Sequence, residues 1–226
     1  MDSDRLERIG TIEFCKDYSP NFSRMIDLTI LYPEIVSGNV TYYELITLCT
    51  LMRQFGFQTI VEFGTFNGRT TINLAANNIN KADGRVYTVD LPKGVKSQLP
   101  LADGQHDPND ELGYIGLQFK LFQDCPVPIP CSITQIWSDT AQLKIHEWTN
   151  KADFLFIDAS HSYENALNDS YTATHIVKPG GVIAWHDYNG WPGVTKAVNE
   201  FAKANPNLRL YWINDTSIAV GINVKG

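Results

Sequence analysis

Apolar residues along the chain gather into short, nearly continuous runs, and the stretches between several of them carry helical spacing. The runs QTIVEFG (58–64), VYTVD (86–90), ITQIW (133–137), FLFID (154–158) and GVIAW (181–185) have the length and content of buried strands. TYYELITLCTLMRQFG places Thr41 and Glu44 at capping-box spacing, Leu45, Leu48, Cys49, Met52 and Phe55 on one helical face, and Gly56 as a stop. From Gly68 the helical period resumes through Ile72, Leu74 and Ala75, and segments 140–149 and 162–177 also read as helices. Near-continuous apolar strands alternating with helices imply a parallel sheet covered on both faces.

The last two runs, LRLYWI (208–213) and SIAVGINV (217–224), are separated only by Asn214, Asp215 and Thr216. A parallel partner needs a dozen or more connecting residues, so these two form a hairpin and the final strand enters the sheet antiparallel. The expected architecture is a doubly wound, Rossmann-like α/β sheet of seven strands, mostly parallel, with an antiparallel strand at the C-terminal hairpin. One domain over residues 1–226 accommodates it, with an N-terminal helical segment at 1–55. Residues 91–131 break the pattern: a polar, turn-rich start, a helical candidate at 109–122 and the segment CPVPIPC read as a lid or interface, and a homo-oligomer is compatible with the latter.

Composition narrows the partners. With 18 basic against 25 acidic residues the net charge is −7, and the basic residues form no long run, so nucleic acid is excluded as the main partner and small molecules are favoured. No apolar run approaches the roughly 18 residues of a membrane span. The start MDSDRLERIG lacks the basic beginning and apolar middle of a secretory signal, and a cytoplasmic protein is expected. Cys125 and Cys131 do not match common zinc spacings, and with Cys15 and Cys49 they read as reduced structural thiols.

In open parallel sheets ligands bind beyond the carboxyl ends of the strands. Here those ends are acidic: Glu62, then Gly64-Thr65-Phe66-Asn67-Gly68; Asp90; Ser138-Asp139; Asp158 with Ser160 and His161; His186-Asp187. The glycine loop running into a helix suits close approach of a ligand, and Asp90 suits ribose hydroxyls. NAD is compatible with these two features, although Gly64 and Gly68 fall short of the full G-x-G-x-x-G fingerprint.

Taken together, VEFGTFNGRTT, VYTVD, WSD and the closing hairpin resemble class I S-adenosylmethionine-dependent methyltransferases over residues 56–225. FIDASHSYENAL followed by KPGGVIAWHDY is similar, more narrowly, to the bacterial small-molecule branch of macrocin- and cephalosporin-type O-methyltransferases. The resemblance implies transfer of a methyl group to a hydroxyl of a small molecule, such as a sugar or polyketide-like metabolite. It assigns Glu62, Gly64, Thr65 and Gly68 to the methionine end of S-adenosylmethionine, Asp90 to the ribose, and Ser138 and Asp139 to the adenine side, with Asp158 also beside the cofactor. It further implies a divalent cation on Asp158, His186 and Asp187, and the imidazole suits Mn²⁺, Fe²⁺ or Zn²⁺ more readily than Mg²⁺. Asp158 and His161 are the candidate catalytic residues, His161 as a general base. Other readings stand beside these: Asp187 as a loop cap with His186 simply hydrogen-bonded, His161 as a helix cap, an NAD-dependent oxidoreductase, or a non-catalytic binding module on the same fold.

Overall fold

A computed structural model describes residues 5–92, 94–99, 125 and 128–223. Eight strands form one sheet: β1 (Glu7–Ile9), β2 (Thr59–Phe63), β3 (Arg85–Asp90), β4 (Ser132–Trp137), β5 (Ala152–Ile157), β6 (Val177–Trp185), β7 (Arg209–Ile213) and β8 (Ala219–Ile222). Their order is β1-β7-β8-β6-β5-β2-β3-β4, and only β8 runs antiparallel to its neighbours. The sheet therefore has one strand more than the expected seven. The extra strand, β1, pairs in parallel with β7 at the sheet edge, and at three residues it is too short to show a period in the sequence.

The helices are α1 (Thr11–Tyr18), α2 (Tyr42–Phe55), α3 (Arg69–Ala76), α4 (Tyr163–Ile176) and α5 (Pro192–Ala204). Successive strand residues point to opposite faces, so the core divides in two. Ile60, Phe154, Phe156, Val182 and Ala184 pack with α1, α2 and α3, whereas Val61, Leu155, Ile157, Ile183 and Trp185 pack with α4 and α5. The capping box at Thr41 and Glu44 forms, and Gly56 closes α2 in the left-handed region.

Three further differences from the sequence reading have local causes. The helix expected over 140–149 is two 3-10 turns, Thr140–Gln142 and Ile145–Glu147, because Leu143, Ile145 and Trp148 do not make a helical stripe. Helix α5 lies outside that reading, although Pro192 at its first turn and Val194, Ala197, Val198 and Phe201 give it a start and a buried face. The N-terminal segment, expected to be helical, contains α1 and α2 and, beside them, β1 and a long irregular strap over residues 19–40. The helical candidate at 109–122 and most of the expected lid at 91–131 lie outside the described residues.

The strap is held by side-chain amides rather than by a sheet. Asn77 accepts from the Thr29 N–H at 2.9 Å and donates to its carbonyl at 2.7 Å, while Asn73, one turn earlier on α3, does the same for Leu31 at 2.8 and 2.9 Å. Gln54 grips Ser23 in the same two-way fashion at 2.8 and 2.7 Å. Buried Arg69 donates to the carbonyls of Tyr32 and Val40, and Asn39 and Asn67 bond each other, so the strap ends against the Gly64–Gly68 loop. The pairings of Asn73, Asn77, Gln54 and Arg69 satisfy backbone groups of the strap that no strand partner reaches.

Candidate active site

Strand order reverses direction between β2 and β5, the place where open α/β sheets bind ligands. The loop ends of the two strands meet there in backbone contact. Gly64 has φ +92°, and a Cβ on it would fall 1.9 Å from the carbonyl oxygen of Asp158. The glycine is thus required by the neighbouring strand end, whatever ligand the loop holds.

The ends of β5 and β6 bring Asp158, His186 and Asp187 together. Nδ1 of His186 lies 2.8 Å from Asp158 Oδ1 and 3.2 Å from Asp187 Oδ2, and one donor atom from each of the three residues falls within 4.8 Å of the others. His186 continues the β5–β6 ladder through its backbone N–H to Ile157, which sets its ring level with Asp158. Asp187 then turns the chain with φ +61°, a left-handed conformation that aspartate tolerates better than most residues. His161, in the loop after Asp158, places Nε2 3.0 Å from Asp187 Oδ2 and stacks on Trp191 with ring centroids 4.4 Å apart. A Cβ at Gly193 would lie 2.5 Å from the His161 carbonyl, so the start of α5 closes directly onto this loop.

One member of the cluster comes from outside the expected set. Glu44 Oε2 lies 3.3 Å from Nε2 of His186, while Oε1 accepts from both the N–H and the hydroxyl of Ser217 at 2.7 Å. Sequence reasoning gave Glu44 only its capping role; nothing in its spacing points to a histidine 142 residues away.

The electrostatics follow from this arrangement. Burial alone disfavours charge on each group, yet Asp158, Asp187 and Glu44 surround His186 and raise its pKa well above 6.5. Burial likewise opposes ionisation of Asp187 and Glu44, but hydrogen bonds from His161 and His186 to the first, and from His186 and Ser217 to the second, hold both below the usual carboxylate range. Asp158 goes the other way, raised by burial against the attraction of His186. The side chains of Asp158 and Asp187 each keep 16% of their surface exposed, so the pocket is reachable.

The remaining expected residues form a second group toward β3 and β4. Asp90 Oδ2 accepts the N–H groups of Thr65 and Phe66 at 3.0 and 2.9 Å and thereby shapes the glycine loop; Oδ1 accepts that of Leu91. Burial raises the Asp90 carboxyl, and these three donors oppose the shift. Glu62 is fully buried: Oε2 accepts from Thr71 and Thr88, while Oε1 has no hydrogen-bond partner among the described residues. Its burial outweighs the two hydroxyls and pushes its pKa up to about 8. Thr65 turns its hydroxyl inward to Thr88 at 2.6 Å and Gln135 at 3.0 Å, and Gly68 caps α3. Asp139 caps the turn at 140–142 through Ala141 N–H and also accepts from Gln98 N–H at 2.6 Å. Ser138 bonds the Asp139 carbonyl at 3.0 Å.

The first group suits a divalent cation. Ligands about 2.1 Å from one ion stand roughly 3 Å apart when adjacent, close to the 2.8 and 3.2 Å that separate His186 Nδ1 from the oxygens of Asp158 and Asp187. Two carboxylate oxygens and one imidazole nitrogen are a donor set for Mn²⁺, Fe²⁺ or Zn²⁺.

Comparison with known proteins gives the fold and the family. No curated protein matches the chain. Among solved structures, the SAH-bound Podospora anserina methyltransferase PaMTH1 has a TM-score of 0.60 at 11% identity, covering 96% of this chain and 86% of its own. The O-methyltransferase from Bacillus cereus in complex with SAH has a TM-score of 0.52 at 16% identity, covering 85% and 84%. The O-methyltransferase TomG from Streptomyces achromogenes, involved in tomaymycin synthesis and solved with SAM, has a TM-score of 0.51 at 15% identity, covering 81% of each chain. Identities this low establish the fold. The family model described as a methyltransferase domain matches residues 61–188, from the middle of β2 to just past Asp187, and by that match over more than half its length the chain belongs to the methyltransferase-domain family.

Proposed function

We propose that the protein transfers the methyl group of S-adenosylmethionine to a hydroxyl of a small molecule, with a divalent cation held by Asp158, His186 and Asp187. Family membership and the class I fold support methyl transfer, and the SAM- and SAH-bound neighbours point to the same cofactor. The observation that carries the hydroxyl chemistry is the convergence of Asp158, His186 and Asp187 at the switch point, beside the glycine loop.

A cation held by Asp158, His186 and Asp187 would supply Lewis acidity beside the acceptor. The chain's own residues do the rest. Asp90 orders the loop backbone at Thr65 and Phe66, and its position at the end of β3 suits the ribose. Asp139 faces the adenine side, where residues 97 and 98 already dock on it. His161, oriented by Asp187 at Nε2 and by the Trp191 ring, is the base that takes up the hydroxyl proton on its imidazole. Trp185, packed beneath the pocket with its indole N–H on Ser170, helps to exclude water from it.

The cytoplasm is the compartment this reading favours, in keeping with the free thiols of Cys15, Cys49, Cys125 and Cys131. Among the described residues no helix is long and apolar enough to cross a membrane.

Calorimetry with S-adenosylmethionine, S-adenosylhomocysteine and NAD, each with and without Mn²⁺, tests the proposal. Binding of both sulfur compounds, none of NAD, and a separate Mn²⁺ isotherm are expected. Preference for NAD would transfer the chain to hydride chemistry, and cofactor binding with no turnover on any hydroxyl acceptor would make it a binding module.

A further inference from the structure

We infer that Glu44 is a positioning residue of the metal site: it holds the His186 ring by Nε2, so that Nδ1 is the nitrogen presented to the ion between Asp158 and Asp187. The inference rests on the metal reading above and adds to it a residue supplied by α2, ahead of the matched methyltransferase domain at 61–188.

Three observations carry it. The imidazole is addressed from both sides, by Asp158 and Asp187 at Nδ1 (2.8 and 3.2 Å) and by Glu44 at Nε2 (3.3 Å). An imidazole that ligates a metal through one nitrogen carries its proton on the other, and an acceptor for that proton fixes both ring orientation and tautomer. Glu44 is itself immobilised: its side chain is 4% exposed, Oε1 is held by two donors of Ser217, and Oε2 is shared between His186 and the Thr41 N–H at 2.8 Å. The carboxylate is thus built into the start of α2 and the β7–β8 turn, and both elements sit against the far side of the histidine.

The capping role of Glu44 is the competing explanation for its burial, and the two roles separate by mutation. Thr41→Ala removes the side-chain half of the capping box and leaves the contact with His186; Glu44→Gln and Glu44→Ala remove the charge or the whole group behind the ring. Mn²⁺ titrated by calorimetry into the full-length variants should bind roughly tenfold more weakly to Glu44→Gln and up to about 100-fold more weakly to Glu44→Ala. Thr41→Ala should stay within about twofold of the parent. In the Zn²⁺-loaded parent, ¹⁵N spectra of the His186 ring should show Nε2 protonated and Nδ1 bound, and Glu44→Gln should lose the protected Nε2 proton. Should Glu44→Ala not fold, Glu44→Gln carries the comparison. Parent-like Mn²⁺ affinity in both Glu44 variants, an equal loss in Thr41→Ala, or a metal on Nε2 would each overturn the inference while leaving the metal site standing. A parent protein that binds no Mn²⁺ would remove the site and the inference together.

Discussion

Gly64 and Asp158 touch backbone to backbone at the centre of the sheet edge, with space for a hydrogen atom and none for a methyl group. The contact ties the glycine loop to the strand end that supplies a candidate metal ligand, and it makes Gly64→Ala a test of the whole edge. A Cβ 1.9 Å from a carbonyl oxygen, at φ +92°, forces the two strand ends apart. We expect a loss of at least about 3 kcal/mol, which lowers Tm by roughly 6–12 °C in a chain of this size. A melting curve that matches the parent would show that the loops do not pack this way.

Asp187 is bonded by both histidines, His161 at 3.0 Å and His186 at 3.2 Å. Asp187→Asn keeps the shape and removes the charge. Mn²⁺ binding should fall at least 100-fold, whereas S-adenosylhomocysteine, whose adenine and ribose are proposed to lie toward β3 and β4, should bind within about threefold of the parent. Equal losses for metal and cofactor would mean that the aspartate only braces the loop.

Asp90 is expected to matter for the cofactor in two ways, as a ribose acceptor and as the carboxylate that gathers the Thr65 and Phe66 N–H groups. Asp90→Ala should weaken S-adenosylhomocysteine binding by tenfold or more, since a hydrogen bond to a charged group contributes about 1.5–3 kcal/mol. Amide exchange at 65–66 should quicken in the same variant. Faster exchange with unchanged affinity would assign Asp90 to the loop alone.

Glu62 predicts a pH dependence. Its pKa is raised from 4.5 to about 8 by burial, so the folded protein holds a proton that the unfolded chain releases above pH 4.5. The folded state binds more protons between these values, and stability falls as pH rises: the contribution is complete below about 4.5 and lost through about 8, by an amount on the order of a few kcal/mol. Glu62→Gln removes the titrating group, and denaturant midpoints measured from pH 5 to 8.5 should decline less steeply than in the parent. Parallel curves would show that Glu62 does not carry this proton.

Much of this was legible in the residues. The strands β2, β3, β5 and β6, the hairpin at 214–216 and the helices α2 and α4 follow from period and caps, because each buries enough apolar residues to register in sequence; β4, an edge strand with none of its residues fully buried, follows from its short apolar run alone. The meeting of Asp158 with His186 and Asp187 was legible for the same reason: neighbouring parallel strands end level, and acids at their ends converge. The link from Glu44 to His186 was not, since it depends on how α2 lies across the sheet, and its only local mark is a capping motif shared by many helices. The strap was equally hidden. Its anchors are asparagine amides on a buried helix face, a pairing that produces no apolar period.

Those amides change what counts as the working part of this molecule. Gln54 and Arg69 direct their side chains to the backbone of residues 23–40, and Asn73 and Asn77 divide theirs between that backbone and one carbonyl each within α3. A shortened protein beginning at α2 would leave four amide and guanidinium groups facing solvent or one another on the layer that carries the glycine loop. The matched domain at 61–188 is therefore a poor guide to where the gene can be trimmed, permuted or spliced into a fusion: a cut that preserves every residue of the match still removes the buttress behind its first loop.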